Sequence, residues 1–238
     1  TMFFTRCYTE KGESRGAQIC TTTRSGGKWG KVTEVELSKD SSVTFAHPTL
    51  SPDGKYLYYV SDLAGGYGGK DIWRSERNGT QYGAPVNLGP SINTAGDEMF
   101  PYMRDNGTLY FSSDGHPGFG GLDIFYANEM EDGNWVVSNM MYPMNSNGDD
   151  FGISYISGVE KGMFSSNRGE KKGYDKLYDF ELPEIEFIIE GKVSDMNGET
   201  IGDATVRIVG DDGTNTKLKT KKDGSFRLSL NKGVKYVL

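Results

Sequence analysis

A motif that returns at a fixed interval restricts this chain to folds built from repeated units. The segment HPTLSPDGKYLYYVSD at residues 47–62 recurs as FPYMRDNGTLYFSSD at residues 100–114. A degraded third copy runs Phe151-Gly152-Ile153-Ser154 and then Gly162-Met163-Phe164-Ser165-Ser166-Asn167. A glycine-rich loop and a short apolar run follow each copy, at Gly68 to Trp73, Gly120 to Phe125 and Gly173 to Tyr178. Their aspartates, Asp71, Asp123 and Asp175, are spaced 52 and 52 residues apart, and Trp29, Tyr82 and Trp135 recur at 53 and 53.

Each period holds four short strands, a to d. Strand b is aromatic, strand c begins at the Asp, and strand d begins at the Trp or Tyr. Asp53-Gly54 and Asn106-Gly107 read as two-residue a–b hairpin turns, because Asn/Asp-Gly supplies the positive φ such turns need. Pro85 cannot donate to a ladder, which puts strand d on a sheet edge. No helical i, i+3, i+4 pattern occurs. Four strands per period with a proline-tolerant outer strand describe the blade of a β-propeller; the alternative, a β-sandwich, seldom repeats with this fidelity. The expected fold is all-β, a WD40-like β-propeller over residues 1–183 followed by a small antiparallel β-sandwich over 184–238. Residues 1–40 match only the later strands of a blade. Two full repeats and a partial one at each end are too few for a ring, so residues 1–182 are not expected to close one. The chain opens and ends on strand-like segments, Thr1 to Thr5 and Val234 to Leu238, and so reads as an interior part of a longer protein.

The second unit begins at Ile185. Phe187, Ile189 and Val193 alternate with polar neighbours, as do Val206 and Ile208, then Phe226, Leu228 and Leu230, then Val234, Tyr236 and Leu238. Turn signals separate them at Asn197-Gly198, Asp212-Gly213, Asp223-Gly224 and Lys232-Gly233.

The run from Pro48 to Asp62, with Gly68-Gly69-Lys70-Asp71-Ile72-Trp73 after it, resembles WD40-like (PD40) propeller repeats. The continuation through Pro85-Val86-Asn87-Leu88-Gly89, Ile92-Asn93-Thr94 and Asp97-Glu98 is similar to the repeat of OmpA-family envelope proteins of Bacteroidetes-type bacteria. In the second unit, Gly191-Lys192-Val193, Gly198, Ile201-Gly202 and Val206, followed by Thr220, Asp223-Gly224 and Phe226, resemble the carboxypeptidase-regulatory-like domain. That domain carries no peptidase centre, and it continues past the equivalent of residue 238. The order of the two units is similar to that of outer-membrane lipoproteins of the type IX secretion system. The resemblance implies a non-enzymatic scaffold in the periplasm, associated with the outer membrane. Its partners would be envelope proteins of the secretion machinery, and it would reach peptidoglycan only through a domain outside this chain.

Composition and motif searches narrow the chemistry. The net charge of −7, from 33 acidic and 26 basic residues, argues against nucleic acid, which calls for a clustered basic surface. No apolar run is long enough to span a membrane. His47 and His116 are the only histidines, and neither has neighbours at metal-ligand spacing, so neither a metal nor a cofactor is expected. Ala64 to Asp71 superficially suggests a phosphate loop, but it lacks the first Gly and the Ser/Thr, and a strand follows it. Asp71, Asp123 and Asp175 invite a catalytic reading. They recur once per blade, however, so a structural role, accepting backbone N–H bonds from the glycine loop, explains them better. The stripes Tyr56/Tyr58 and Tyr110/Phe111 read as packing between blades.

The glycine loops (b–c) and the d–a connections emerge on one face, and long loops on a rigid scaffold are where binding usually sits. The expected partner-binding residues are Asp97, Glu98, His116, Phe119, Asp149, Asp150 and Arg168; the alternative is that these are solvated connections. A propeller that binds, or hydrolyses, a glycan or peptide at the cell envelope is the competing function. Cys7 and Cys20 fall on neighbouring strands b and c. An oxidising compartment allows a disulfide between them if their Cα atoms lie within about 7 Å, and otherwise both are thiols.

Overall fold

The computed structural model describes residues 1–10, 13–40, 42–169, 174–183 and 186–238, and no helix occurs among them. The chain divides into two compact units, Thr1–Leu182 and Pro183–Leu238. Gly173 and Ile185, and part of the third glycine loop, lie outside the described residues.

Four antiparallel sheets of three or more strands and a separate two-stranded hairpin make up the first unit. The first sheet contains β1 (Met2–Glu10), β2 (Glu13–Thr22) and β5 (Thr33–Glu34), adjacent in that order, and the hairpin of β3 (Arg24–Ser25) and β4 (Lys28–Trp29) lies between β2 and β5 in sequence. The second contains β6 (Phe45–Leu50), β7 (Tyr56–Ser61), β8 (Asp71–Asn78), β9 (Gln81–Tyr82) and β10 (Val86–Asn87), in sequential order except that β9 and β10 both pair with β8. Pro85 lies in the gap between those two short outer strands. The third is an unbroken meander of β11 (Glu98–Met103), β12 (Leu109–Ser113), β13 (Asp123–Glu129) and β14 (Trp135–Asn139). The fourth has β15 (Asp150–Tyr155), β16 (Lys161–Ser166) and β17 (Lys176–Glu181). Thr21 pairs with Thr33 as Arg74 pairs with Val86, so sheet one holds strands b, c and d while sheet four holds a, b and c. Packing runs from each sheet to the next, and the sheets do not close into a ring.

Burial on both faces explains the continuous apolar run of β7. Leu57 and Tyr59 face Ile19, Val35 and Phe45 on the sheet-one side, and Tyr58 and Val60 face Leu109, Phe111 and Phe125 of sheet three. Tyr110 and Ile124 meet Ile153, Tyr155 and Phe164 of sheet four. Each fully buried ring or aliphatic side chain of this kind stabilises by roughly 1.5–3 kcal/mol. The buried Tyr59 hydroxyl shares a 2.9 Å hydrogen bond with Ser75, and burial pushes its pKa up to about 12.

The a–b turns differ from the two-residue expectation. Gly54 and Gly107 have φ of 70° and 86°, but Asp53 and Asn106 do not enter the left-handed region. A turn closed by Gly54 N–H to Ser51 O (2.9 Å) or Gly107 N–H to Arg104 O (2.9 Å) precedes the left-handed glycine. The Asp53 and Asn106 side chains instead accept the amides of Lys55 and Thr108, both at 3.0 Å.

Each strand a is a sheet edge, and each is bulged at the same place. The register slips between Ala46 and Thr49, Met99 and Tyr102, and Phe151 and Ser154. His47, Phe100 and Gly152 take positive φ of 51°, 53° and 67° there. The His47 ring stacks on Phe100 at 4.2 Å, Phe100 lies 4.9 Å from Phe151, and the Phe100 N–H donates to His47 Nδ1 at 3.2 Å. Bulges twist an edge away from further pairing; here they also join three successive sheets.

In the second unit, β18 (Phe187–Lys192) pairs with a later strand. The intervening sequence forms β19 (Thr205–Gly210) and β20 (Asn215–Lys219), followed by β21 (Ser225–Leu230) and β22 (Tyr236–Val237). The sheets are β18-β21 and β20-β19-β22, all antiparallel. The polar β20 has no apolar alternation that would reveal it in the sequence. Ile208 is fully buried, and Thr220 is tied to the Ile201 carbonyl (2.8 Å) and the Ala204 amide (3.0 Å).

Candidate functional site

On the loop-bearing face, the same polar network is built twice. Asp71 begins β8, is buried, and accepts the amides of Tyr67 (2.7 Å) and Gly68 (3.2 Å) and the side-chain amide of Asn87 (2.7 Å). Asp123 begins β13, is buried, and accepts those of Phe119 (2.8 Å) and Gly120 (3.0 Å) on one oxygen. Its other oxygen has no partner, and burial, with the charges of Asp150 and Asp149 adding to it, raises its pKa. Both carboxylates therefore close the glycine loop onto the strand that follows.

The third copy departs from this. The position opposite Ser61 in sheet two and Ser113 in sheet three is Asp71 and Asp123, whereas Ser166 pairs with Lys176. Asp175 thus lies one residue before the strand and is exposed. Constant spacing in sequence concealed a one-residue slip.

A second pair of residues, Asn93 and Asn145, completes the frame. The Asn93 side chain accepts the Ile72 N–H (2.8 Å) and donates to the Ile72 carbonyl (3.0 Å), and Asn145 does the same to Ile124 at 2.8 and 2.8 Å. Each buried amide stands in for a strand neighbour, and each also donates to Asn87 or Asn139 at 2.8 Å. The signal was present as an Asn six residues before another, at 87/93 and again at 139/145.

The d–a connections clamp onto the glycine loops. Gly69 N–H reaches Gly96 O (3.0 Å), Lys70 N–H reaches Asp97 (2.8 Å), and Glu98 N–H returns to Lys70 O (2.7 Å). Gly121, Leu122 and Asp150 repeat these bonds with Gly148, Asp149 and Leu122 at 3.2, 3.1 and 2.6 Å. Such close approach demands glycine: a Cβ on Gly68 would overlap the Thr94 carbonyl, and one on Gly120 the Gly148 carbonyl.

Most residues expected to contact a partner are engaged in this frame. Glu98 and Asp150 are fully buried, so they offer no charge to a partner, and that expectation is corrected for both. Glu98 accepts from Thr94 N–H (2.8 Å), Thr94 Oγ1 (2.6 Å) and Ser113 Oγ (2.6 Å). Asp150 accepts from Ser146 N–H (2.6 Å) and from Arg168 Nη2 (2.6 Å), which also bonds the carbonyl of Met144. The Arg168 guanidinium lies 4.9 Å from the Phe164 ring and 5.2 Å from that of Tyr178. Half-buried Asp97 and Asp149 hold the loop amides, and His116 Nε2 is 2.8 Å from Ile92 O, its ring beside Phe125. Phe119 alone of the seven projects, at 49% exposure, and its counterpart Tyr67 is 51% exposed. Tyr142, in the next connection, is 80% exposed.

The cysteines do not form a pair. Cys20 lies opposite Phe4, and Cys7 opposite Ala17. That offset of three positions separates them by roughly 10 Å along the strands and puts their side chains on opposite faces. It exceeds what a disulfide spans, and both are thiols, Cys7 exposed and Cys20 buried.

No protein-family profile matches the chain, and no curated protein is similar to it at a significant level. Among solved structures, it is similar to a prolyl endopeptidase at 16% identity and a TM-score of 0.46, covering 93% of this chain and 30% of that one. A putative TolB from Agrobacterium tumefaciens aligns at 14% identity and a TM-score of 0.46, over 99% of this chain and 71% of that one. TolB from Acinetobacter baumannii aligns at 13% and 0.44, over 96% and 52%.

Proposed function

We propose that the first unit is a non-enzymatic protein-docking propeller of the bacterial cell envelope. In this reading it works in the periplasm beside the outer membrane, with the second unit, a carboxypeptidase-regulatory-like sandwich, as a spacer. The PD40-type motifs and the order of the units favour a role like that of PorE in type IX secretion, with envelope proteins of that machinery as partners. One observation carries the docking role: the buried Asp71 and Asp123 grip the amides of Tyr67 and Phe119, whose aromatic side chains stand exposed. Exposed aromatic groups on a hydrogen-bonded frame are what protein interfaces use as anchors. The loop-face carboxylates are spent on holding backbone amides, which supports docking over acid–base chemistry.

Site-specific photo-crosslinking in the native envelope tests this. A photoreactive residue at position 67 or 119 should capture a discrete envelope protein, and the same residue at Lys55, in an opposite a–b turn, should not. The Tyr67→Ala/Phe119→Ala double variant should lose that partner while its Tm stays within about 2 °C of wild type. Equal capture from Lys55, or unchanged partner recovery by the double variant, would overturn the assignment of this face. Turnover of a glycoside or peptide substrate abolished by the double variant would favour the hydrolytic reading instead.

A further inference from the structure

On the opposite face, at the c–d turn end of sheets one and two, lies a cavity of about 450 Å³, within the range of small-ligand sites. Lys31 and Arg77 line it, and among the described residues neither pairs with a carboxylate. Arg77 Nη1 donates a long bond, to the Gly54 carbonyl (3.5 Å), and its buried Nε has no hydrogen-bond partner among the described residues. Glu34, the acid on its wall, is turned to the Tyr8 hydroxyl (2.7 Å) and Arg6 (3.9 Å). The hydroxyl of Thr21, on the same sheet face as Phe3, donates to the carbonyl of Met2 (3.2 Å), so its oxygen remains free to accept. Phe3 and Tyr82 complete the wall with apolar surface.

We infer that this cavity binds an organic carboxylate. The guanidinium and ammonium receive the carboxylate, the Thr21 oxygen accepts from a donor on its body, and the rings cover its apolar part. The apolar surface of Phe3 and Tyr82 favours an organic acid over inorganic phosphate. A peptide C-terminus and a uronic sugar both present this chemistry.

Titration calorimetry on the 238-residue protein separates the sources, using N-acetyl-Ala-Ala and its C-terminal amide, and methyl glucuronide and methyl glucoside. At least one acid should bind, its neutral counterpart should not, and whichever acid binds identifies the source. Lys31→Gln and Arg77→Gln should each weaken that binding about tenfold. Because Lys31 is exposed, Lys31→Gln keeps the test valid even if Arg77→Gln fails to fold. Failure of both acids to bind, equal binding of acid and neutral partner, or wild-type affinity in Lys31→Gln would overturn the inference.

Discussion

Asp71 and Asp123 occupy equivalent places, yet their oxygens are used differently, and that difference is measurable. Both oxygens of Asp71 accept N–H donors, so Asp71→Asn sets an amide NH₂ against a donor and should cost about 1–3 kcal/mol. Asp123 keeps one oxygen without a donor, and burial already disfavours its charge, so Asp123→Asn should cost at least about 1 kcal/mol less. Urea unfolding of the two variants checks this; equal losses would contradict it. The residue type was legible in the sequence, since a group repeated once per blade is poorly suited to catalysis. The identity of the third copy was not, because Asp175 preserves the spacing while Lys176 takes the strand position.

The bulged inner strands show how elements are joined. His47 accepts the Phe100 N–H through Nδ1 only when that nitrogen is unprotonated. Burial first, and the charge of Lys70 second, lower the His47 pKa, so the folded state prefers the neutral ring. A group with a depressed folded pKa contributes stability that is present above its unfolded value of ~6.5 and lost as pH falls through the folded pKa. Wild type should therefore lose more Tm between pH 7.5 and 5.5 than His47→Asn, which tolerates positive φ and retains an acceptor without titrating. Parallel pH profiles would contradict this. Strand existence was readable from the aromatic runs and turn glycines. The bulge was not: His-Pro and Phe-Pro give no local sign of positive φ, and Gly152 in the third copy is the one hint.

At the scale of the molecule, the four larger sheets of the first unit pack in sequence, and buried polar groups at one end turn otherwise long loops into part of the frame. The period made the sheets and their order legible, and the loop face could be named from strand direction alone. Which side chains on that face remain available could not be foreseen, because burial of Glu98 and Asp150 depends on clamps between loops about 27 residues apart in sequence. The central claim is that the b–c loops are rigid and hold Tyr67 and Phe119 outward. Amide hydrogen exchange measures this directly. The amides of Tyr67, Gly68, Lys70, Phe119, Gly120 and Leu122, all donated to carboxylates, should exchange as slowly as neighbouring amides in β8 and β13, and Asp71→Ala should release Tyr67 and Gly68 while leaving Phe119 and Gly120 protected. Exchange of these loop amides at open-chain rates in the wild-type protein would contradict the account.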